Sequence, residues 1–223
     1  MQALKTRDYQ AQLDEFFDLG VGSKETVDKT AFDVFNYAFT AQSSLPSNIF
    51  GYGDGKPMCS TLHPRKDGGA AQSNASATGL TLTDDNVETL RIQLLRAKDD
   101  RGKPISGGSG KLIMLVPEEL AKTAKVIAQT DRKVETANNN INVYDGIFTV
   151  VVSKLLTSPT AWFLIDPKLA KLKIVEHEMS KTHTHTDPHT LTQHFYIYDW
   201  FAMAWCDWRG IVGSKGDGGA YSL

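Results

Sequence analysis

The stretch from His194 to Gly213, His-Phe-Tyr-Ile-Tyr-Asp-Trp-Phe-Ala-Met-Ala-Trp-Cys-Asp-Trp-Arg-Gly-Ile-Val-Gly, limits what this chain can fold into more than any other segment. Read at period two, one face carries Tyr196, Tyr198, Trp200, Ala202, Ala204, Cys206 and Trp208. The other carries Phe195, Ile197, Phe201, Met203 and Trp205, interrupted by Asp199 and Asp207. A strand that is apolar on both faces has to be covered on both, by its own domain, by neighbouring copies, or by both. Three of the four tryptophans lie here, which marks a core, and aromatic enrichment of this kind also suits an interface.

Ahead of it the chain alternates helical and strand patterns. Tyr9 to Leu19 places Leu13, Phe16 and Phe17 at helical or turn spacing, and Gly20-Val21-Gly22 is expected to break that segment. From Ser23 or Lys24 to Gln42, the positions Val27, Ala31, Val34, Phe35, Ala38 and Phe39 form the stripe of an amphipathic helix, stopped by Ser43-Ser44-Leu45-Pro46. Residues 51–79 are punctuated by turns. A second helix opens near Thr83 with Asp84, Asp85 and Glu88 in its first turns and Val87, Leu90, Leu94 and Ala97 on its apolar face, and Gly102 and Pro104 close it. Lys111 to Val116 reads as a buried strand, and Pro117-Glu118-Glu119 opens a third helix carrying Leu120, Ala124, Ile127 and Ala128. Further strands are expected at Ile147–Val152, Ala161–Ile165 and Leu172–Glu176. The class is mixed α+β.

At 223 residues the chain can bury one good core or two small ones. A net charge of −2, without a basic stripe, argues against a protein that works by gripping nucleic acid phosphates. Cys59 and Cys206 stand far apart, so neither a disulfide framework nor a cysteine zinc site is indicated, and both read as buried thiols. No apolar run reaches the roughly 18–20 residues of a membrane span, and the first residues lack the apolar core of a signal peptide, so a cytosolic setting is expected.

One constellation invites an enzymatic reading. His183-Thr-His185-Thr-Asp187-Pro188-His189 would place His183 and His185 on one face of an extended chain, with Asp187 able to join them as an oxygen ligand for zinc or iron. A small metal-binding or metal-dependent enzyme domain using His183, His185, Asp187 and His189 is therefore the alternative reading. The spacing matches no helical zinc signature, however, and no general base sits at a recognisable offset. A solvated hairpin or edge loop, whose imidazoles are incidental or tune subunit contacts with pH, is the better expectation. No phosphate loop, nucleophile elbow or activated cysteine occurs, and the carboxylate pairs fall at helix ends, where capping explains them. No catalytic, cofactor-binding or metal residue is assigned.

The order of motifs is more informative than any one of them. Asp54-Gly55-Lys56, Ser60-Thr61-Leu62-His63-Pro64, Leu82-Thr83 opening a helix that leads to Asp99-Asp100-Arg101-Gly102-Lys103-Pro104-Ile105, and Leu112 to Pro117 follow one another. Asn142-Val143-Tyr144-Asp145-Gly146, Val150-Val151-Val152, Trp162-Phe163-Leu164-Ile165-Asp166-Pro167 and Asp207-Trp208-Arg209-Gly210-Ile211 with Gly213 complete the series. In this order they resemble the major capsid proteins of tailed bacteriophages, in particular the Mu-like major head subunits.

The resemblance implies the phage capsid fold, with a P-domain built on a long spine helix and an A-domain inserted within it. It divides the chain into an N-terminal lead with a possible E-loop remnant (1–22), the first part of the P-domain with the spine helix (23–79), the A-domain (80–165), and the returning P-domain strands with a flexible tail (166–223). Only about twenty residues precede the helical periodicity, which leaves the family's N-terminal arm and E-loop short or missing here. It further implies self-association into hexamers and pentamers of a head enclosing DNA, assembled in the host bacterial cytoplasm. Scaffold, portal or decoration proteins would be its partners, without sequence-specific nucleic acid binding, cofactor or membrane.

Overall fold

The computed structural model describes residues 2–51, 53–105, 107, 110–130, 142, 144–190 and 193–221, with residues 2–13 and 193 described by backbone alone. The polar connection around Asn138–Ile141 lies outside the described residues. Helix α1 runs from Gln2 to Asn36, 35 residues or about 52 Å at 1.5 Å per residue. It thus corrects the expected break at Gly20-Val21-Gly22. Each glycine costs a helix about 1 kcal/mol relative to alanine, too little to stop a ladder continued on both sides and seated on a sheet beyond Ser23.

The other end is shorter than the expected Gln42. Beyond Asn36 the bonds tighten to Ala38 N–H to Phe35 O (3.1 Å) and Thr40 N–H to Tyr37 O (3.0 Å). Tertiary partners take over the groups a longer helix would use. Asn36 Nδ2 donates to Leu155 O, its Oδ1 accepts from Thr157 N–H, and Ala38 O accepts from Cys59 N–H at 2.8 Å. Helical spacing at Ala38 and Phe39 reflects burial on a shared side and not a continued helix.

The strands β1 (Ile49–Phe50), β2 (Leu112–Val116), β3 (Phe148–Val152), β4 (Trp162–Ile165), β5 (Leu172–Thr186), β6 (Gln193–Trp205) and β7 (Ile211–Ser214) form two sheets. One has the order β3-β2-β4-β7, the other β1-β6-β5. Helices α2 (Asp84–Leu95) and α3 (Ala121–Gln129) complete the core. Thr83 caps α2 by accepting from Asn86 N–H, and Asp84 and Asp85 fill its first turn, which complements the helix dipole. Chain β2, α3 and the parallel β3 form the expected α/β step, entered through a short 3-10 turn at Glu118–Leu120.

In the four-stranded sheet, alternation assigns each residue to a face. Leu112, Met114 and Val116 join Trp162, Leu164 and Val212 beneath Val87, Leu90 and Leu94 of α2 and Ala124, Ile127 and Ala128 of α3. The opposite face presents Leu115, Phe163, Ile165 and Ile211 to Phe35, Met58 and Cys59. Phe35 meets Phe163 edge-on at 5.3 Å, and Phe39 stacks on it at 5.8 Å. Gly213 is required where it stands, because a Cβ there would lie 2.7 Å from the Phe163 ring and 2.8 Å from Cys59 Sγ.

The stretch read as one strand is therefore two. β6 ends at Trp205, the chain bends through Cys206–Gly210, and β7 joins the other sheet beside β4. Cys59 is buried as expected, whereas Cys206 is exposed at this bend. The strands covered on both faces within the chain are β4 and β7, every residue of which is buried.

Candidate assembly surface

Strand β5 continues past the expected Glu176 to Thr186 and pairs antiparallel with β6 along its length, giving a ribbon roughly 45–50 Å long. β1 pairs with β6 only at Met203 and Ala204, so most of the ribbon is two strands wide. Its inner face rests on α1. Met203 and Trp205 are buried in one cluster with Val34, Phe35 and Ala38, while Val27, Ala31, Phe32 and Phe201 border it. Further out Phe195 meets Phe16 edge-on at 5.8 Å.

Among the described residues nothing covers the outer face. Tyr196, Tyr198 and Trp200 are all exposed there, Trp200 by 65%, and Val175 continues the stripe on β5. His177 stands edge-on to Trp200 at 5.0 Å, Lys181 is paired with Tyr198 and His183 with Tyr196. A row of large aromatic side chains on a projecting ribbon is expensive to leave in water, at about 25 cal/mol per Å² of apolar area, and a row of this length is the mark of an interaction surface.

Asp199, an interruption in the sequence pattern, ties the ribbon to the helix. Its Oδ2 accepts from Ser23 Oγ at 2.6 Å and its Oδ1 from Ser180 N–H at 2.6 Å. Ser180 has φ +49° and lies where the register between Glu178 and Lys181 shifts, so the carboxylate satisfies a donor that the bulge removes from the ladder. Asp199→Ala is expected to destabilise the chain by about 1–3 kcal/mol in chemical denaturation, with faster hydrogen exchange at the Ser180 amide. Asp199→Asn, which keeps one acceptor, should recover part of the loss.

The histidine constellation falls on this ribbon. His183 and His185 do share a face, the outer one, with His194 directly opposite His185. Asp187 and His189 lie in the turn beyond the strand. Asp187 accepts from His189 N–H at 2.8 Å and from Thr190 Oγ at 2.9 Å, and these two bonds hold its carboxyl below the usual carboxylate range. Its oxygens serve the turn. Among the described residues no group of three or more His, Cys, Asp or Glu side chains is arranged to hold a metal ion.

A buried polar network joins segments that the motif order singled out separately. Arg209 pairs with Asp100 through Nη2 and with Asp207 Oδ1 at 3.0 Å through Nη1, and its Nε donates to Lys98 O at 3.0 Å. Its guanidinium lies 4.7 Å from the Trp208 ring centroid, and the same indole stacks on His63 at 3.9 Å with the planes 4° apart. His63 in turn contacts Asp54 and Asn74. Residues from position 54 to position 209 thus converge, and the only sequence signal was the collinear motif series, since no two of these groups stand at a recognisable spacing.

An α+β chain with a long helix under a projecting ribbon, an uncovered aromatic face and a tightly cross-braced core is built for structure and contact. The chain belongs to the phage capsid protein family, whose model, described as "Phage capsid protein", matches residues 2–214. Membership makes it a structural protein of the phage capsid. The matching model is that of the phage capsid proteins and not of the Mu-like head subunits which the motif order resembles. Among solved structures, the capsid of an empty GTA particle is similar at 12% identity and TM-score 0.49, over 94% of this chain and 66% of that one. A virus-like particle from Pyrococcus furiosus is similar at 11% identity and TM-score 0.33, over 61% of this chain and 56% of that one. No curated protein matches the sequence.

Proposed function

We propose that this chain is a self-associating subunit that builds hexamers and pentamers of a head around packaged DNA. The observation that carries the reading beyond family membership is the aromatic outer face of the β5–β6 ribbon, which no described residue covers. In this reading residues 23–79 and 166–223 form the P-domain, residues 80–165 the inserted A-domain, and residues 1–22 the N-terminal lead, whose helical part from Gln2 offers further contacts. Phe17, Leu19 and Val21, exposed along that extension, suit such a role.

A net charge of −2 fits a shell that contains DNA without gripping it. Assembly takes place in the host cytoplasm, with scaffold, portal or decoration proteins as partners, and the reading assigns no catalytic residue, metal or cofactor. Light scattering of purified protein across a concentration series tests it. Mass that rises with concentration supports it, and a strictly monomeric chain at high concentration counts against it.

A further inference from the structure

Helix α1 presents two unlike faces. Phe16, Ser23 and Val34 lie on one side, against Phe195, Asp199 and the core. On the other side, at about 100° per residue, Asp14, Asp18, Val21, Glu25 and Asp28 fall within an arc of about 80°, with Phe17 at its border. All six are exposed, Phe17 by 67% and Val21 by 57%. Lys24 and Lys29 stand at the margins, so the outer face of the helix is an acidic stripe set with large apolar side chains. From Asp14 to Asp28 it spans about 21 Å at 1.5 Å per residue.

The outer face of the ribbon has the complementary chemistry and a similar length. From Tyr196 to Ala204 it runs about 26 Å at 3.3 Å per residue, on the side away from α1. Tyr196, Tyr198 and Trp200 supply its apolar area. Among the described residues of β5 and β6 its one carboxylate is Glu178, opposite Trp200 and already paired with Lys181. The phenol of Tyr196, the indole N–H of Trp200 and the ammonium of Lys173, which stands opposite Ala204, offer donors on exposed residues. Helix and ribbon pack on each other by their inner faces, so the two outer faces look in opposite directions.

We propose that the outer face of α1 in one copy docks on the outer face of the β5–β6 ribbon of the next, so that copies associate head to tail. The inference rests on the self-association proposed above and specifies which surfaces meet. Helix against helix would set Asp14, Asp18, Glu25 and Asp28 against the same four carboxylates, which is repulsive. Ribbon against ribbon would be isologous, close after two copies and leave Phe17 and Val21 in water. Helix against ribbon buries both apolar sets in one contact and places carboxylates against donors. It is also heterologous. Each added copy brings a fresh face of either kind, so the row grows into a ring or an open array.

Complementation between two variants in the analytical ultracentrifuge tests this. Glu25→Lys/Asp28→Lys breaks the helix face and keeps the ribbon, whereas Trp200→Glu breaks the ribbon face and keeps the helix. All three positions are exposed, and Val21→Glu serves as a second helix-face variant should the first not fold. Each variant alone should self-associate at least about tenfold more weakly than wild type. An equimolar mixture should give a one-to-one dimer that grows no further, because only one intact face of each kind is present. A helix-face variant that associates like wild type, or a mixture in which no dimer forms, overturns the pairing and leaves self-association itself standing. A wild-type chain that stays monomeric overturns both.

Discussion

Trp208→Ala is expected to destabilise the folded chain by about 3–5 kcal/mol, measured by urea unfolding of the monomeric species. Trp208 is 2% exposed, and its indole stacks on His63 and carries the Arg209 guanidinium. Truncation leaves a cavity and removes the surface against which a buried charge is held, so its effect should sit in the upper part of the range for aromatic truncations. For a chain of this size that corresponds to a melting temperature lower by about 6–20 °C. Trp208→Phe, which retains a stacking ring and much of the volume, should lose less than half as much. A loss below about 1 kcal/mol for Trp208→Ala would show that the network is not a structural anchor.

Trp200→Glu is expected to have the opposite profile. The side chain is 65% exposed on the outer face of β6, so the charge meets water in the isolated chain and unfolding should change by no more than about 0.5 kcal/mol. In an assembly the same charge would be forced into a contact built from Tyr196, Tyr198 and Val175. An aromatic residue at such a centre is commonly worth 2 kcal/mol or more, about thirtyfold in each pairwise contact, and the loss recurs at each copy. Sedimentation should therefore show wild type associating at concentrations where the variant remains a folded monomer. If the variant assembles like wild type, the outer face of the ribbon is not the contact.

The same residue type on one short segment thus has two roles, and this is where the sequence was least legible. Period-two alternation from Phe195 to Trp205 correctly separates an inner face from an outer one. It cannot say that the inner face rests on α1 while no described residue covers the outer one, because that depends on elements far away in sequence. The bend at Cys206–Gly210 was invisible for a related reason. Trp208 is as apolar as a strand residue, yet it lies in a turn closed by Ile211 N–H donating to Trp208 O at 3.0 Å, with Asn74 Nδ2 donating to the carbonyls at 208 and 211. The second and third helices and the buried β2 and β4 were readable because capping residues and local periodicity are recorded in neighbouring positions.

Helix α1 was legible in its middle and not at its ends. The Gly20-Val21-Gly22 signal was read as decisive, although its cost is small beside the seating of Val27, Ala31 and Phe35 on the core. At the other end, Ala38 kept helical spacing after the helix had stopped. The ribbon was half legible, with its His and Thr alternation visible but its full length set by pairing with β6. His183 and His185 fell where extended-chain geometry places them. Asp187, which would have completed a ligand set, was drawn into its own turn by two hydrogen bonds. The network around His63 was out of reach, because its members, Asp54, Asn74 and Trp208, stand far apart in sequence.

The central claim, that this chain is a structural capsid subunit whose ribbon face is completed by other copies, is tested most directly by negative-stain electron microscopy of the purified wild-type protein at high concentration. The account predicts rings, sheets or shells with a regular subunit repeat, absent in a matched sample of Trp200→Glu. A field of discrete single subunits for the wild type, at the highest concentration at which it stays folded, would contradict it.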